Sequence, residues 1–319
     1  MSGQAPTVSV VMAVYNEEKY VSMAIESILE QTFSDFEFLI VDDGSTDRTS
    51  EIVDGYAKSD NRVRLLTNKK NMGLPASLNK GIEAARGEYI ARMDADDKSL
   101  PGRFERQVKY LDSNPETHVI GCQVRVIGAN GEYFGYRRFS AGPRSPNEMK
   151  QTGPKVAHPS VMMRRSSVIS VGKYRESFKY AQDLDLWVRM SRKFGYSFLH
   201  VLQAVLFEYR ITPGKYRRNQ IGHIYASFAG DFTSDDQLLE ERLSSALKKR
   251  QVKNRPLKNR SIYNYTAGRL LLGKEHRGKA VRRFLFAIIQ WPLNPQGWYG
   301  IILLLSSLIS NGCGSPRRQ

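Results

Sequence analysis

The first hundred residues alternate short apolar runs with amphipathic ones, and that alternation limits the fold more than any other feature of the chain. "TVSVVMAV" (7–14) reads as a strand buried on both sides. "EKYVSMAIESILEQ" (18–31) puts Tyr20, Met23, Ala24, Ser27, Ile28 and Gln31 on one helical face. "FEFLIVD" (36–42) is a second strand, and "DRTSEIVDGYAKS" (47–59) a helix entered through "DDGSTD". "RVRLLT" (62–67), "PASLNKGIEAARG" (75–87) and "EYIARM" (88–93) continue the rhythm. Pro75 suits a first helical turn and Gly87 a C-terminal cap. Strands and helices alternating through short links predict an α/β domain, its parallel sheet flanked by helices.

In such sheets ligands bind beyond the C-terminal ends of the strands. Three strands end in polar chemistry: Tyr15-Asn16-Glu17, Asp42-Asp43-Gly44-Ser45 and Asp94-Ala95-Asp96. All three are expected on one edge. No G-x-G-x-x-G occurs, so the usual dinucleotide fingerprint is missing. In "ARMDADDKSLPGRF" (91–104) Asp94, Asp96 and Asp97 crowd together. Carboxylates this close repel unless a cation or a shared proton relieves them. A solvated turn is the competing explanation, and convergence of three strand ends favours a site. Asp42 fits a helix cap equally well, and Asp97 fits a turn. Arg92 and Arg103 flank the acids as phosphate contacts or charge balance.

The texture changes after residue 117. "HVIGCQVRVIGANGEYFGYRRF" turns at "ANGE" (129–132), the sign of an antiparallel hairpin. "HPSVMMRR" (158–165) predicts a strand, "AQDLDLWVRMSRK" (181–193) a helix, and "YSFLHVLQAVLFEYR" (196–210) one or two strands. His158 reads as a structural histidine.

Four stretches carry a family resemblance. They are "VSVVMAVYNEEKYVSMAIESILEQTFSDFEFLIVDDGSTD", "NMGLPASLNKGIEAARGEYIARMDADDKSLPGRFERQVKYL", "HPSVMMRR" and "YAQDLDLWVRM". In order and spacing they resemble the family-two nucleotide-sugar glycosyltransferases, from about Thr7 to about Thr212. The resemblance implies a GT-A fold, a Rossmann-like, mixed and mostly parallel sheet flanked by helices. It also implies inverting, non-processive transfer of one sugar from a nucleotide-diphosphate donor. By the same resemblance Asp43 recognises the base and Tyr15 stacks on it. Asp94 and Asp96 form the DxD pair, with Asp96 the direct metal ligand and Asp94 nearer ribose or metal-bound water. Asp183 is the general base, and Trp187 borders the acceptor. UDP is the favoured nucleotide, since Asp43 and Tyr15 suit a uracil edge and face.

Two departures stand out. Gln182 precedes Asp183 where many relatives have Glu, and Thr212 follows the Tyr-Arg pair where many have His. A Q-x-x-R-W motif, the mark of processive polymerisation, is absent. The chemistry agrees with the resemblance: a diphosphate leaving group needs a cation on hard oxygen ligands, Mn2+ or Mg2+.

Charge divides the chain. Of its +16, residues 243–319 hold 15 Lys/Arg against the single acid Glu275. That leaves 33 basic and 31 acidic residues in 1–242. We expect a catalytic domain over 1–215 and a basic helical region over 216–319. Basic runs at 248–260 and 273–283 precede an apolar stretch, 298–309, too short for the roughly 20 residues of a membrane span. Trp291, Trp298 and Tyr299 flank the apolar segments. A peripheral contact with an anionic membrane is expected, with a glycan or lipid-linked acceptor; packing on the catalytic domain or an oligomer contact is the other reading of this segment. Nucleic-acid binding by the tail, on an inactive scaffold, is the competing class, and no nucleic-acid-binding motif supports it. The N-terminus lacks a signal-peptide pattern and there are only two cysteines, Cys122 and Cys313. Both point to the cytoplasm, on the cytosolic face of a membrane.

Overall fold

A computed structural model describes residues 5–139, 145–152, 155–212 and 277–290, with the isolated positions 229 and 241. The expected alternation is present. It runs β1 (Val8–Val14), α1 (Val21–Leu29), β2 (Phe36–Asp42), α2 (Thr49–Ser59), β3 (Val63–Thr67), α3 (Leu74–Ala84) and β4 (Tyr89–Asp94). Then follow β5 (Lys98–Ser99), α4 (Arg103–Ser113), β6 (Val119–Ile127), β7 (Tyr133–Arg137) and α5 (Pro146–Thr152). A 3-10 turn (His158–Ser160), β8 (Met162–Arg164), α6 (Arg165–Ser170), α7 (Gln182–Phe194), β9 (Leu199–Arg210) and α8 (Arg277–Gln290) complete the described elements.

The strands form one mixed sheet in the order β3-β2-β1-β4-β8-β6-β9-β5, with β7 on β6. The strands β3, β2, β1 and β4 are mutually parallel, and β8 joins β4 and β6 antiparallel. Register makes the parallel ends level: Val14 pairs with Asp42, Ala13 with Asp94, and Asp42 with Thr67. Every residue of β2 is buried, and β1 is nearly so, as expected of a sheet covered on both faces.

Some local readings change. The inner face of α1 is Val21, Ala24, Ile25, Ser27 and Ile28, with Tyr20 and Met23 only half-buried at its edge. Pro75 does sit in the first turn of α3, but Gly87 is not its cap, because the helix ends at Ala84 and is capped at Ala85. Gly87 is needed for close approach: a Cβ there would lie 2.6 Å from the Ser9 nitrogen. Its N–H donates to Ser9 Oγ at 2.8 Å, and that hydroxyl donates to Glu37 Oε1. Of 158–165 only Met162–Arg164 is strand. Pro159 cannot donate to a ladder, and His158–Ser160 turns as a 3-10 helix. The stretch 196–210 holds one strand, Leu199–Arg210.

Residues 5–124 and 137–209 contribute to one compact unit, which holds most of the sheet and its helices. The hairpin tip (125–136), residues 210–212 and α8 belong to a second. The basic run 248–260, the apolar run 298–309, Trp291, Trp298, Tyr299 and Cys313 lie outside the described residues. Among the described residues no helix is long and apolar enough to cross a membrane.

Candidate active site

Level strand ends bring the loops after β1 and β2 together, and a set of polar contacts joins them. Asn16 takes a left-handed conformation (φ 54°), which Asn tolerates better than most residues. Its backbone N–H donates to Ser45 Oγ and its Oδ1 accepts from Thr46 N–H. The Glu17 and Glu18 N–H groups reach Thr49 Oγ1 and Asp47 Oδ2. Asp42 Oδ1 accepts from Ser45 N–H at 3.1 Å, so Asp42 closes the loop ahead of α2. Gly44 has φ +75°, and a Cβ there would lie 2.8 Å from the Lys70 carbonyl carbon. Only glycine admits the loop after β3 at this point.

Asp43 is 3% exposed and holds that loop. Its Oδ1 accepts from Asn68 Nδ2 and from Met72 N–H, and its Oδ2 from Gly73 N–H, each at 2.8 Å. Three of the roughly four lone-pair directions of a carboxylate are thus in use. Asn68 also donates to Ser77 Oγ and accepts from Lys80. Tyr15, in contrast, is 43% exposed just past the end of β1.

One oxygen from each of Asp94, Asp96 and Asp97 lies within 4.8 Å of the others. Asp94 is half-buried and pairs with Arg92 at 2.5 Å, while Asp96 is buried. Asp97 is fully buried, and its N–H closes a turn onto the Asp94 carbonyl at 3.3 Å. Arg92 balances the cluster from below. It is 2% exposed, and its Nε and Nη1 have no hydrogen-bond partner among the described residues. Arg103 is wholly buried and braces the same strand end: it donates to the Arg92 carbonyl, Ser99 Oγ and Gln107. Hard oxygens gathered so closely fit a divalent cation.

The N-terminus of α7 brings Asp183 to the same region. Ala181, which starts the helix, has φ 55°, a strained choice for a residue with a Cβ. Burial pushes the Asp183 carboxyl above the usual carboxylate value, opposed by the Leu184 N–H and the positive charge of Arg92, with Asp94 adding to the rise. Asp185, two residues on, is fully buried and paired with Arg189 at 2.8 Å and Arg175 at 3.6 Å. It is structural. Trp187 is also fully buried, its ring 6.0 Å from His158 and 6.4 Å from Phe198. The acceptor-side role expected for Trp187 is therefore corrected: the ring is a core residue of an amphipathic helix and shows no face to an acceptor. His158 Nε2 lies 2.7 Å from the Tyr174 hydroxyl. Burial, helped by Arg92, holds this histidine well below its ordinary pKa, so it is neutral and structural.

A profile of the family described as "Glycosyl transferase family 2" matches residues 9–172. The chain belongs to this family. Curated relatives of this family 2 glycosyltransferase include the uncharacterized glycosyltransferase MJ1057 of Methanocaldococcus jannaschii, 39% identical over 65% of this chain and 71% of that protein. The O-antigen biosynthesis glycosyltransferase WbnJ of Escherichia coli is 33% identical over 64% of this chain and 79% of its own. Among solved structures, S. aureus TarS 1-349 in complex with UDP is 19% identical with a TM-score of 0.53, covering 98% of this chain and 93% of that one. Mannosyltransferase PcManGT from Pyrobaculum calidifontis, in complex with GDP-Man and Mn2+, is 17% identical with a TM-score of 0.55, covering 92% of this chain and 88% of that one. These likenesses show a shared GT-A fold.

Sequence reasoning missed Asn68 and Tyr174. Asn68 follows β3, the fourth parallel strand, and the rule applied to the other three strand ends points to it as well. Tyr174 is buried between Asn79 and His158 and carries no local signal.

Proposed function

We propose that this glycosyltransferase moves one sugar from a nucleotide-diphosphate sugar, a UDP-sugar in the first instance, to a hydroxyl of a glycan or lipid-linked acceptor, with inversion, in polysaccharide or glycoconjugate biosynthesis. The observation that carries the reading is the acidic cluster in its family setting: within a chain whose residues 9–172 match the glycosyltransferase family, one oxygen from each of Asp94, Asp96 and Asp97 lies within 4.8 Å of the others, at a strand end level with those of β1 and β2. TarS crystallised with UDP and with UDP-GlcNAc, PcManGT with GDP-Man and Mn2+, and WbnJ's part in O-antigen biosynthesis support the substrate class.

The donor's base stacks on the exposed ring of Tyr15, above the loop that Asp43 fixes, where one acceptor direction on Oδ2 is left for a base N–H. Asp96, with Asp94, holds Mn2+ or Mg2+, while Arg92 keeps Asp94 in place. When bound, the metal offsets the charge that develops on the leaving diphosphate. Asp183 takes the proton of the acceptor hydroxyl. The acceptor oxygen then bonds to the anomeric carbon as the bond to the diphosphate oxygen breaks on the opposite face. A carboxylate whose proton affinity is raised by burial suits this task, because base strength improves towards the working pH. Residues 216–319 form a basic region that brings the enzyme to a membrane surface on the cytosolic side, where a lipid-linked acceptor is presented. Transfer from a panel of sugar nucleotides, compared between wild type and Asp183→Asn, tests the proposal.

A further inference from the structure

A helix on a protein surface normally buries one apolar stripe and turns polar residues to water. The helix α8 is apolar on both sides. Ala280, Phe284 and Ala287 repeat at i, i+4 and i+7 and are fully buried. Beside them Arg283 reaches Glu132 at 3.0 Å and lies over the Phe134 ring at 5.1 Å, which ties α8 to the hairpin tip within the second unit. On the opposite side Arg282, Leu285, Phe286 and Ile289 follow the same i, i+3, i+4, i+7 pattern, and all four are exposed. Leu285 is 49%, Phe286 43% and Ile289 71% exposed. The outer stripe is thus cationic at its start and apolar over its last two turns.

We propose that this outer stripe is a docking surface for an anionic lipid bilayer. Leu285, Phe286 and Ile289 enter the boundary between headgroups and acyl chains, and Arg282 meets headgroup phosphates. At 14 residues the helix is about 21 Å long, short of the roughly 30 Å hydrocarbon core, so it lies in the membrane plane. Charge selects lipid over the other occupants. Residues 243–319 carry 15 Lys/Arg and one acid, so a second copy seated on this stripe would bring a like charge against it. A nucleic acid would satisfy the cations and leave three large apolar side chains in water. An anionic bilayer takes both. The proposal draws its purpose from the lipid-linked acceptor inferred above, but it is tested without any transfer step, so either can fail alone.

The test is co-sedimentation of the full-length protein with vesicles of phosphatidylcholine, alone or mixed with phosphatidylglycerol, at low and high salt. Wild type is expected to bind the anionic vesicles, and salt to weaken that binding. Replacing Leu285, Phe286 and Ile289 together by Gln should lower vesicle affinity by at least about tenfold, since exposed apolar area no longer leaves water. The melting temperature and UDP affinity of that variant should be unchanged. Arg282→Glu, a milder exposed change, should weaken binding to anionic vesicles only. The proposal is overturned if wild type stays free at low salt, or if the triple variant sediments like wild type. It is overturned equally if light scattering finds a wild-type dimer that the triple variant breaks, which would give the stripe to a second copy.

Discussion

Replacing Asp43 by Asn separates a loop-holding role from a ligand-binding one. The carboxylate accepts three hydrogen bonds, two from backbone N–H groups of Met72 and Gly73 and one from Asn68. An amide keeps one acceptor oxygen. In its better orientation it retains the two bonds on Oδ1 and turns an NH2 towards Gly73 N–H, donor against donor. One lost hydrogen bond to a charged group costs about 1.5–3 kcal/mol. At about 2–4 °C per kcal/mol for a domain of this size, the melting temperature should fall by about 3–12 °C. Thermal melts of wild type and Asp43→Asn, with and without UDP, read this directly. UDP should stabilise the variant less than wild type, because the loop beneath the base has lost its anchor. An unchanged melting temperature combined with lost UDP affinity would refute the reasoning, since Asp43 would then act on the ligand alone.

Three further outcomes follow from the same geometry. Asp96→Asn should abolish divalent-cation-dependent donor binding while the fold survives; calorimetry with UDP and Mn2+ showing unchanged metal-dependent affinity would contradict the ligand assignment. Asp185→Asn removes one side of a buried ion pair and should cost about 3–5 kcal/mol in denaturant unfolding, with turnover per folded molecule preserved; lost turnover at full stability would make Asp185 the base. Because Asp183 binds its proton more tightly folded than unfolded, the acid limb of kcat/KM, which reports the free enzyme, should lie above the ~3.9 of a free aspartate, activity falling as pH drops through the raised value. By the same sign its ionised form works against folding at neutral pH, so Asp183→Asn should unfold no more easily than wild type there, which pH-resolved melts can check.

Much of the fold was legible because it is written in periodicity. The parallel core β1 to β4 followed from apolar runs that needed no knowledge of partners, and the ANGE turn announced the β6–β7 hairpin. The clustering of polar residues was legible where it depended on strand ends. The rest of the candidate site was illegible where partners are backbone groups or distant residues. Asp43 stood out as a carboxylate after β2, but the N–H groups it holds belong to Met72 and Gly73, and no side-chain pattern displays them. Trp187 shows the limit of helical periodicity: an aromatic on α7 fits core and cleft equally well until His158 and Phe198 are seen packed on it. Gly87 carried a cap signal, and a close approach to Ser9 explains it instead. The twofold apolar character of α8 needed the structure as well, because only burial distinguishes Phe284 from its neighbours Leu285 and Phe286.

The central claim is inverting transfer with Asp183 as base, and the anomeric configuration of the product tests it most directly. Wild type would be incubated with UDP-sugars, then GDP- and dTDP-sugars, with Mn2+ or Mg2+ and a lipid-linked or glycan acceptor, and the new linkage read by NMR. The account predicts a single added sugar whose anomeric configuration is opposite to the donor's. It also predicts that Asp183→Asn binds the nucleotide normally yet loses at least about a hundredfold in turnover. A product that retains the donor's configuration, or near-normal turnover in Asp183→Asn, would contradict it.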